Sequence, residues 1–309
     1  MKRKPYRFFL YILLEFSSII ILILPYRVII FLAGFFGRVA YFILPKYRNI
    51  TLDNLRTAFR GEKEEAELRR IAVDVFRNIA ITSAECISMR KFSRETVKRF
   101  IKEEDYRFLK KIHSRGKGVI ALQGHLGNWE MSAACAVAYG LDVSVIAKRI
   151  YYPPYNRFLV SLRENKGVRV IYRDEQGVLK KTLAVLKSGN LLGILADQDV
   201  ASVKSVFVNF FGQPTYTPVG PVVLAMLSGA PIVLSYAIRE NGKLRFITEE
   251  PIYVRKSDNR DADILKYTQQ WSDALERVIR KYPDQWAWIH KRWKTKPVSA
   301  HPDTSSSEI

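Results

Sequence analysis

A histidine stands five positions before a glutamate in Gly124-His125-Leu126-Gly127-Asn128-Trp129-Glu130. Histidine titrates near neutrality, and a carboxylate that steadies its ring makes it a general base able to take a proton from a hydroxyl. On one continuous helix, residues five apart point about 140° away from each other. His125 and Glu130 therefore meet only if His125 lies in a turn. Gly124 and Gly127 permit such a turn, and Asn128 is a good helix N-cap that places Glu130 in the first helical turn. Spacing alone does not separate this reading from a histidine that merely caps a helix.

Other residues with chemical potential lie further along. Asp197-Gln198-Asp199 directly follows the apolar run LLGILA, so its two carboxylates are expected at the carboxyl end of a strand. They suit substrate binding or loop-stabilising hydrogen bonds; a metal site would need a third carboxylate nearby, and none is expected. Arg149 and Arg163 carry planar forks that grip phosphate or carboxylate. Residues 207–220 (FVNFFGQPTYTPVG) are expected to line an acyl-chain groove or to cover the sheet as a packed loop. The segment Trp286, Trp288, His290, Lys291, Arg292, Trp293 fits interfacial anchoring, phosphate contact or core packing. The chain has no GxxxxGK[ST], GxGxxG or GxSxG motif, which argues against a P-loop nucleotidase, a dinucleotide enzyme and a serine hydrolase.

These residues must be positioned by an α/β scaffold. From Gly116 onward, β-rich runs (GVIALQ, VSVIAK, VRVIY, LLGILA) alternate with helical segments (NWEMSAACAVAY, YNRFLVSLRENK, QGVLKKTLAVLKSG). That alternation predicts a mostly parallel central sheet flanked by helices. After a long loop and the helix VGPVVLAMLSG, the runs APIVLSYAI and KLRFITEE are expected as antiparallel edge strands, followed by a helix over about 262–282. His125 would follow the first strand, where open α/β sheets bind ligands. The domain reading is residues 1–48 as a hydrophobic anchor, 49–115 as a helical lead-in, 116–294 as the α/β domain and 295–309 as a flexible tail.

The chain carries 50 basic and 30 acidic residues, a formal net charge of +20, which calls for an anionic partner. Its first 48 residues hold eight basic side chains against one acidic, in two apolar runs over 8–24 and 28–44. These predict a retained membrane anchor, either a span or a re-entrant hairpin. A nucleic-acid-binding protein is favoured by charge alone and lacks a reader motif. Cys86 and Cys135 sit in apolar helical stretches and are expected as buried thiols, with no disulfide and no zinc site.

GHLGNWE, ADQD with the downstream FFG, the GAP turn at 229–231 and QWAWIHKRW at 285–293 together resemble, in this order, the lipid A biosynthesis late acyltransferases. These fall within the superfamily of glycerolipid acyltransferases marked by His, four residues, then Asp or Glu. The likeness runs over nearly the whole chain. It implies that His125, oriented by Glu130, deprotonates an acceptor hydroxyl that attacks an acyl thioester, with no covalent serine step and no cofactor. The donor would be acyl carrier protein or acyl-CoA, and the acceptor a lipid A precursor or another glycolipid or lysophospholipid. Arg163 and Asp199, with Asn128, Arg149, Asp197 and Gln198, would complete the substrate site, and N–H groups of Gly127 to Trp129 would face the oxyanion. The resemblance also implies a bacterial inner membrane location, active site on the cytoplasmic side. A lipid hydrolase or an inactive membrane scaffold are the alternatives.

Overall fold

The computed structural model describes residues 6–297. The basic start Met1 to Lys4 and most of the tail, 298–309, lie outside the described residues. Two apolar helices, α1 (Tyr6–Ile23) and α2 (Tyr26–Ile43), form a hairpin whose elbow is Leu24-Pro25. A proline at the elbow cannot continue the α1 hydrogen-bond ladder, and it opens α2. The lead-in follows as α3 (Pro45–Ala58), α4 (Glu65–Ser88), α5 (Arg94–Val97) and α6 (Arg107–His113). Helix α2 packs closely on α4, because a Cβ at Gly37 would lie 2.7 Å from the Phe76 carbonyl oxygen.

The α/β domain contains β1 (Val119–Gln123), α7 (Trp129–Ala138), β2 (Val143–Ala147), α8 (Pro153–Glu164), β3 (Arg169–Tyr172), α9 (Val178–Lys187) and β4 (Leu191–Leu195). It continues through β5 (Ser205–Phe210), β6 (Gln213–Pro218), α10 (Gly220–Ser228), β7 (Ile232–Glu240), β8 (Lys243–Thr248) and α11 (Arg260–Lys281). Six strands form one sheet in the order β3-β2-β4-β1-β7-β8, parallel except for the final β7–β8 pair. The α/β fold with a mostly parallel sheet is as the alternation of runs predicts. Both faces are covered: Ile232, Leu234, Tyr236 and Ile238 of β7 enter one core, while Val233 and Ala237 enter the other.

Two expectations need correction. The run APIVLSYAI is not at an edge; as β7 it pairs in parallel with β1, and only β8 lies outermost. Its unbroken apolar character is that of a strand buried on both faces. The expected long loop contains a two-stranded antiparallel hairpin, β5–β6. Its turn residues Phe211 and Gly212 have φ of 53° and 69°, the pair of left-handed conformations that closes a two-residue hairpin.

The connections define where a ligand would sit. From β1 the chain crosses to β2 on one side, whereas from β4 it crosses to β7 on the other, and β1 and β4 are neighbours. Gln123 and Leu195 are in register, so the two strands end level. The residues that follow, Gly124-His125 and Ala196-Asp197, leave the sheet side by side at a topological switch point.

Candidate active site

The histidine's partner is Asp197. His125 Nδ1 lies 2.8 Å from Asp197 Oδ1, and the His125 backbone N–H donates to Asp197 Oδ2 at 2.6 Å. The second oxygen also accepts from the Trp286 indole N–H at 2.8 Å. Asp197 is fully buried, while the imidazole keeps 23% of its surface exposed. Burial disfavours the imidazolium, but the adjacent Asp197 charge and hydrogen bond outweigh it and raise the His125 pKa, with Glu130 adding and Arg163 subtracting. Burial likewise opposes charge on Asp197, yet His125 holds that carboxyl below its ordinary range.

Glu130, the partner expected from spacing, is engaged elsewhere. Arg163 on α8 donates from Nε at 2.8 Å and Nη2 at 2.5 Å to its two oxygens, and the Trp129 indole donates at 3.2 Å. Asn128 caps α7 through the Met131 N–H at 2.9 Å, which places Glu130 in the first turn, directed at α8. Trp129 sets its ring edge-on to His125, with centroids 5.0 Å apart. His125 thus belongs to a pair with Asp197 and Glu130 to a pair with Arg163. The sequence marks Asp197 for substrate binding or loop-stabilising bonds, and its place at the end of a strand is the signal that pointed to this site.

The turn itself is stitched to the carboxyl-terminal segment. Gly127 N–H donates to Gln285 O at 3.0 Å, Ala287 N–H to His125 O at 2.9 Å, and Asn128 N–H to Ala237 O at 2.8 Å. A Cβ at Gly127, whose φ is +62°, would fall 1.9 Å from that Ala237 oxygen. The N–H groups of Gly127 and Asn128 are therefore spent on the fold and do not face an oxyanion.

The remaining candidates divide. Gln198 joins the site, its Nε2 3.4 Å from His125 Nδ1. Asn128 is fully buried and gives its amide N–H to Glu85 at 2.6 Å, which makes it a structural residue. Asp199 accepts from Thr295 N and Oγ1 at 2.8 and 2.9 Å, tying down the carboxyl-terminal segment and sharing no ligand with Asp197. Arg149 stacks on Tyr172 at 3.9 Å and does not line the cavity below. Trp286 and Trp288 are fully buried, so this aromatic segment is core. Hairpin β5–β6 sends Phe210 and Phe211 into the same core against Trp286, Trp288 and Trp293, and of the segment 207–220 only its end, Pro218, Val219 and Gly220, lines the groove.

That groove is a cavity of about 550 Å³ opening beside His125. Its walls come from β2, α8, α9, β4 and α10, with Ile146, Leu159, Val160, Ile194, Val223 and Leu224 among them. Its charged lining residues are Lys148, Arg163, Arg173, Lys204 and Arg260, with no Asp or Glu among the described residues. An apolar pocket with cationic side chains at hand suits an amphiphile carrying negative charge.

A His-carboxylate pair beside an apolar cavity, at the carboxyl ends of a mostly parallel sheet, is the site this α/β fold builds. The chain belongs to the bacterial lipid A biosynthesis acyltransferases, whose family model matches residues 2–295. It is an acyltransferase of the lipid A type. It is 27% identical to the lipid A biosynthesis palmitoleoyltransferase of Escherichia coli (strain K12), over 89% of this chain and 88% of that protein. Identity to the lipid A biosynthesis lauroyltransferase of the same organism is 25%, with the same coverage. A phosphatidylinositol mannoside acyltransferase of Mycobacterium tuberculosis is 24% identical over 58% of this chain and 55% of its own length.

Proposed function

We propose that this protein is a membrane-bound O-acyltransferase that moves a fatty acyl chain from an acyl thioester, on acyl carrier protein or coenzyme A, to a hydroxyl of a lipid A precursor. The observation that carries the reading is the His125–Asp197 pair at the wall of an apolar cavity with five cationic and no acidic lining residues. With Nδ1 committed to Asp197, Nε2 takes the acceptor's proton as the oxygen attacks the thioester carbonyl. The C–S bond breaks, and the thiolate leaves with the proton returned by the imidazolium.

Arg163 is the candidate for the developing oxyanion. Its Nε and Nη2 are held by Glu130, which fixes the guanidinium plane at the cavity while Nη1 has no protein partner among the described residues. Glu130 then acts through Arg163, as a positioning residue. The cationic lining draws phosphate-bearing acceptors or an acidic carrier.

The hairpin supports a place at the membrane. On α1, Phe9, Leu13 and Ile23 are 69%, 59% and 77% exposed, and on α2 Phe31 is 72% exposed. Helix α2 is long and apolar enough to cross a membrane and only 22% buried. The proposal also takes in a bacterial inner membrane with the site on its cytoplasmic side; relatives named for lipid A biosynthesis support the membrane.

Purified protein in detergent, given radiolabelled acyl carrier protein and a lipid A precursor, should transfer label to lipid, and His125→Ala should abolish transfer with the fold retained. Transfer that persists in the variant sinks the base assignment; label released as free acid without acceptor supports a hydrolase instead. A phosphatidylinositol mannoside or lysophospholipid acceptor used in preference identifies the other branch.

A further inference from the structure

Asp197 divides its two oxygens. Oδ1 faces the imidazole, while Oδ2 receives two N–H donors, from the His125 backbone at 2.6 Å and the Trp286 indole at 2.8 Å. Since the carboxylate is fully buried, these bonds alone orient it.

The indole is itself immobilised. It is fully buried, edge-on to Trp288 at 4.5 Å, with Phe210 and His290 at 6.0 and 5.3 Å. Its two chain neighbours bond the histidine turn, Gln285 O accepting from Gly127 and Ala287 N donating to His125 O. Packing alone does not demand that N–H. The buried indole nitrogens of Trp271 and Trp293 have no partner among the described residues, and that of Trp288 goes to the Pro283 carbonyl at 2.7 Å. Only Trp286, among these core tryptophans, donates to a carboxylate.

We infer that Trp286 is a positioning residue that tempers the basicity of Asp197, and through it sets the pH range in which His125 can accept a proton. The inference rests on the general-base reading above. A donor on Oδ2 draws charge away from Oδ1 and weakens its hold on the imidazolium. Without that donor the carboxylate would hold the imidazolium more tightly and raise the pH at which His125 becomes a base. The other groups facing the pair are His290 and Arg292 from the carboxyl-terminal segment, Glu130 from α7, Arg163 from α8 and Asp199 beyond the β4 turn.

The test replaces Trp286, at a suppressed stop codon in the full chain, by β-(3-benzothienyl)alanine, which keeps the ring shape and has no N–H. The acid limb of kcat/KM and the NMR titration of the His125 imidazole should both move up by about one pH unit, the effect of one lost hydrogen bond to a buried charge. Trp286→Phe should show the same shift with a lower Tm, because it also loses packing. A benzothienyl protein whose limb and titration match wild type overturns the inference and leaves Trp286 as core packing. If the wild type transfers no acyl group, the general-base reading fails, while the His125 titration still reports whether the indole tunes Asp197.

Discussion

Both oxygens of Glu130 are gripped by one guanidinium, with Arg163 Nε at 2.8 Å and Nη2 at 2.5 Å. The side chains keep only 12% and 19% of their surface, so neither charge can turn to water if its partner is lost. Glu130→Ala is expected to cost about 3 kcal/mol, close to what a broken buried pair costs. The double change Glu130→Ala with Arg163→Ala should recover part of that loss while transfer stays near zero. Urea unfolding of the three variants measures the coupling, and simple additivity of the two single changes would count against the clamp.

Asp197→Asn keeps the shape of the side chain and removes its charge. The raised His125 pKa owes its direction to that charge, so the acid limb of activity should move to lower pH, opposite to the shift expected for loss of the Trp286 N–H. The maximal rate should fall by about 10²- to 10⁴-fold, because the ring is no longer held in the tautomer that frees Nε2. A pH–rate profile with an unmoved limb would show that Asp197 does not govern the base.

His290 gives the fold its own acid sensitivity. Burial pushes its pKa down to about 4, beyond what the nearby Asp197 charge offsets. A histidine depressed in the folded state binds fewer protons than in the unfolded chain, so stability drops as pH falls from about 6.5 towards 4. The loss amounts to roughly 3 kcal/mol at full protonation. His125, with a raised pKa, works the other way: its contribution is present below about 6.5 and fades as pH rises through its folded value. His290→Phe should flatten the acid limb of a Tm–pH curve, and an unchanged slope would assign that limb to other groups.

Gly127 and Gly140 offer a matched pair. Both have positive φ, +62° and +86°, but a Cβ at Gly127 would strike the Ala237 oxygen at 1.9 Å whereas nothing lies within 4 Å of one at Gly140. Gly140→Ala should cost about 1 kcal/mol, the conformational term. Gly127→Ala should exceed 4 kcal/mol and remove activity with stability, since the oxygen it displaces is the acceptor for Asn128 N–H. Expression and thermal melts of the two proteins decide the point.

Phe31→Asp combined with Phe35→Asp changes two α2 side chains that are 72% and 53% exposed. The fold should hold, while co-flotation with anionic vesicles should fall several-fold through lost apolar insertion. Undiminished flotation would place the contact with lipid elsewhere.

The parallel sheet is legible because its strands are short apolar runs separated by amphipathic helices, and periodicity reports that directly. Asn128 as a cap and the histidine turn are equally local, resting on residue types within seven positions. The His125–Asp197 bond is not, since it joins residues 72 apart and depends on β1 and β4 being neighbours with level ends. Local spacing points to Glu130, whose first-turn position on α7 instead directs it towards α8. Hairpin β5–β6 escapes because Phe211 adopts a left-handed backbone that aromatic residues seldom take, so its turn carries no glycine-first signature. The aromatic residues of the carboxyl-terminal segment suit a membrane surface and a core alike, and only the partners around Phe210 decide between them.

The backbone bonds between the histidine turn and residues 285–287 carry a consequence for how the enzyme is made. More than half the chain separates the two halves of that seam. Synthesis delivers the apolar hairpin before either half of the seam, and residues 285–287 long after the histidine they brace. Contacts of such long sequence separation form late. The geometry of the His125–Asp197 pair is therefore completed only when Trp286 has docked.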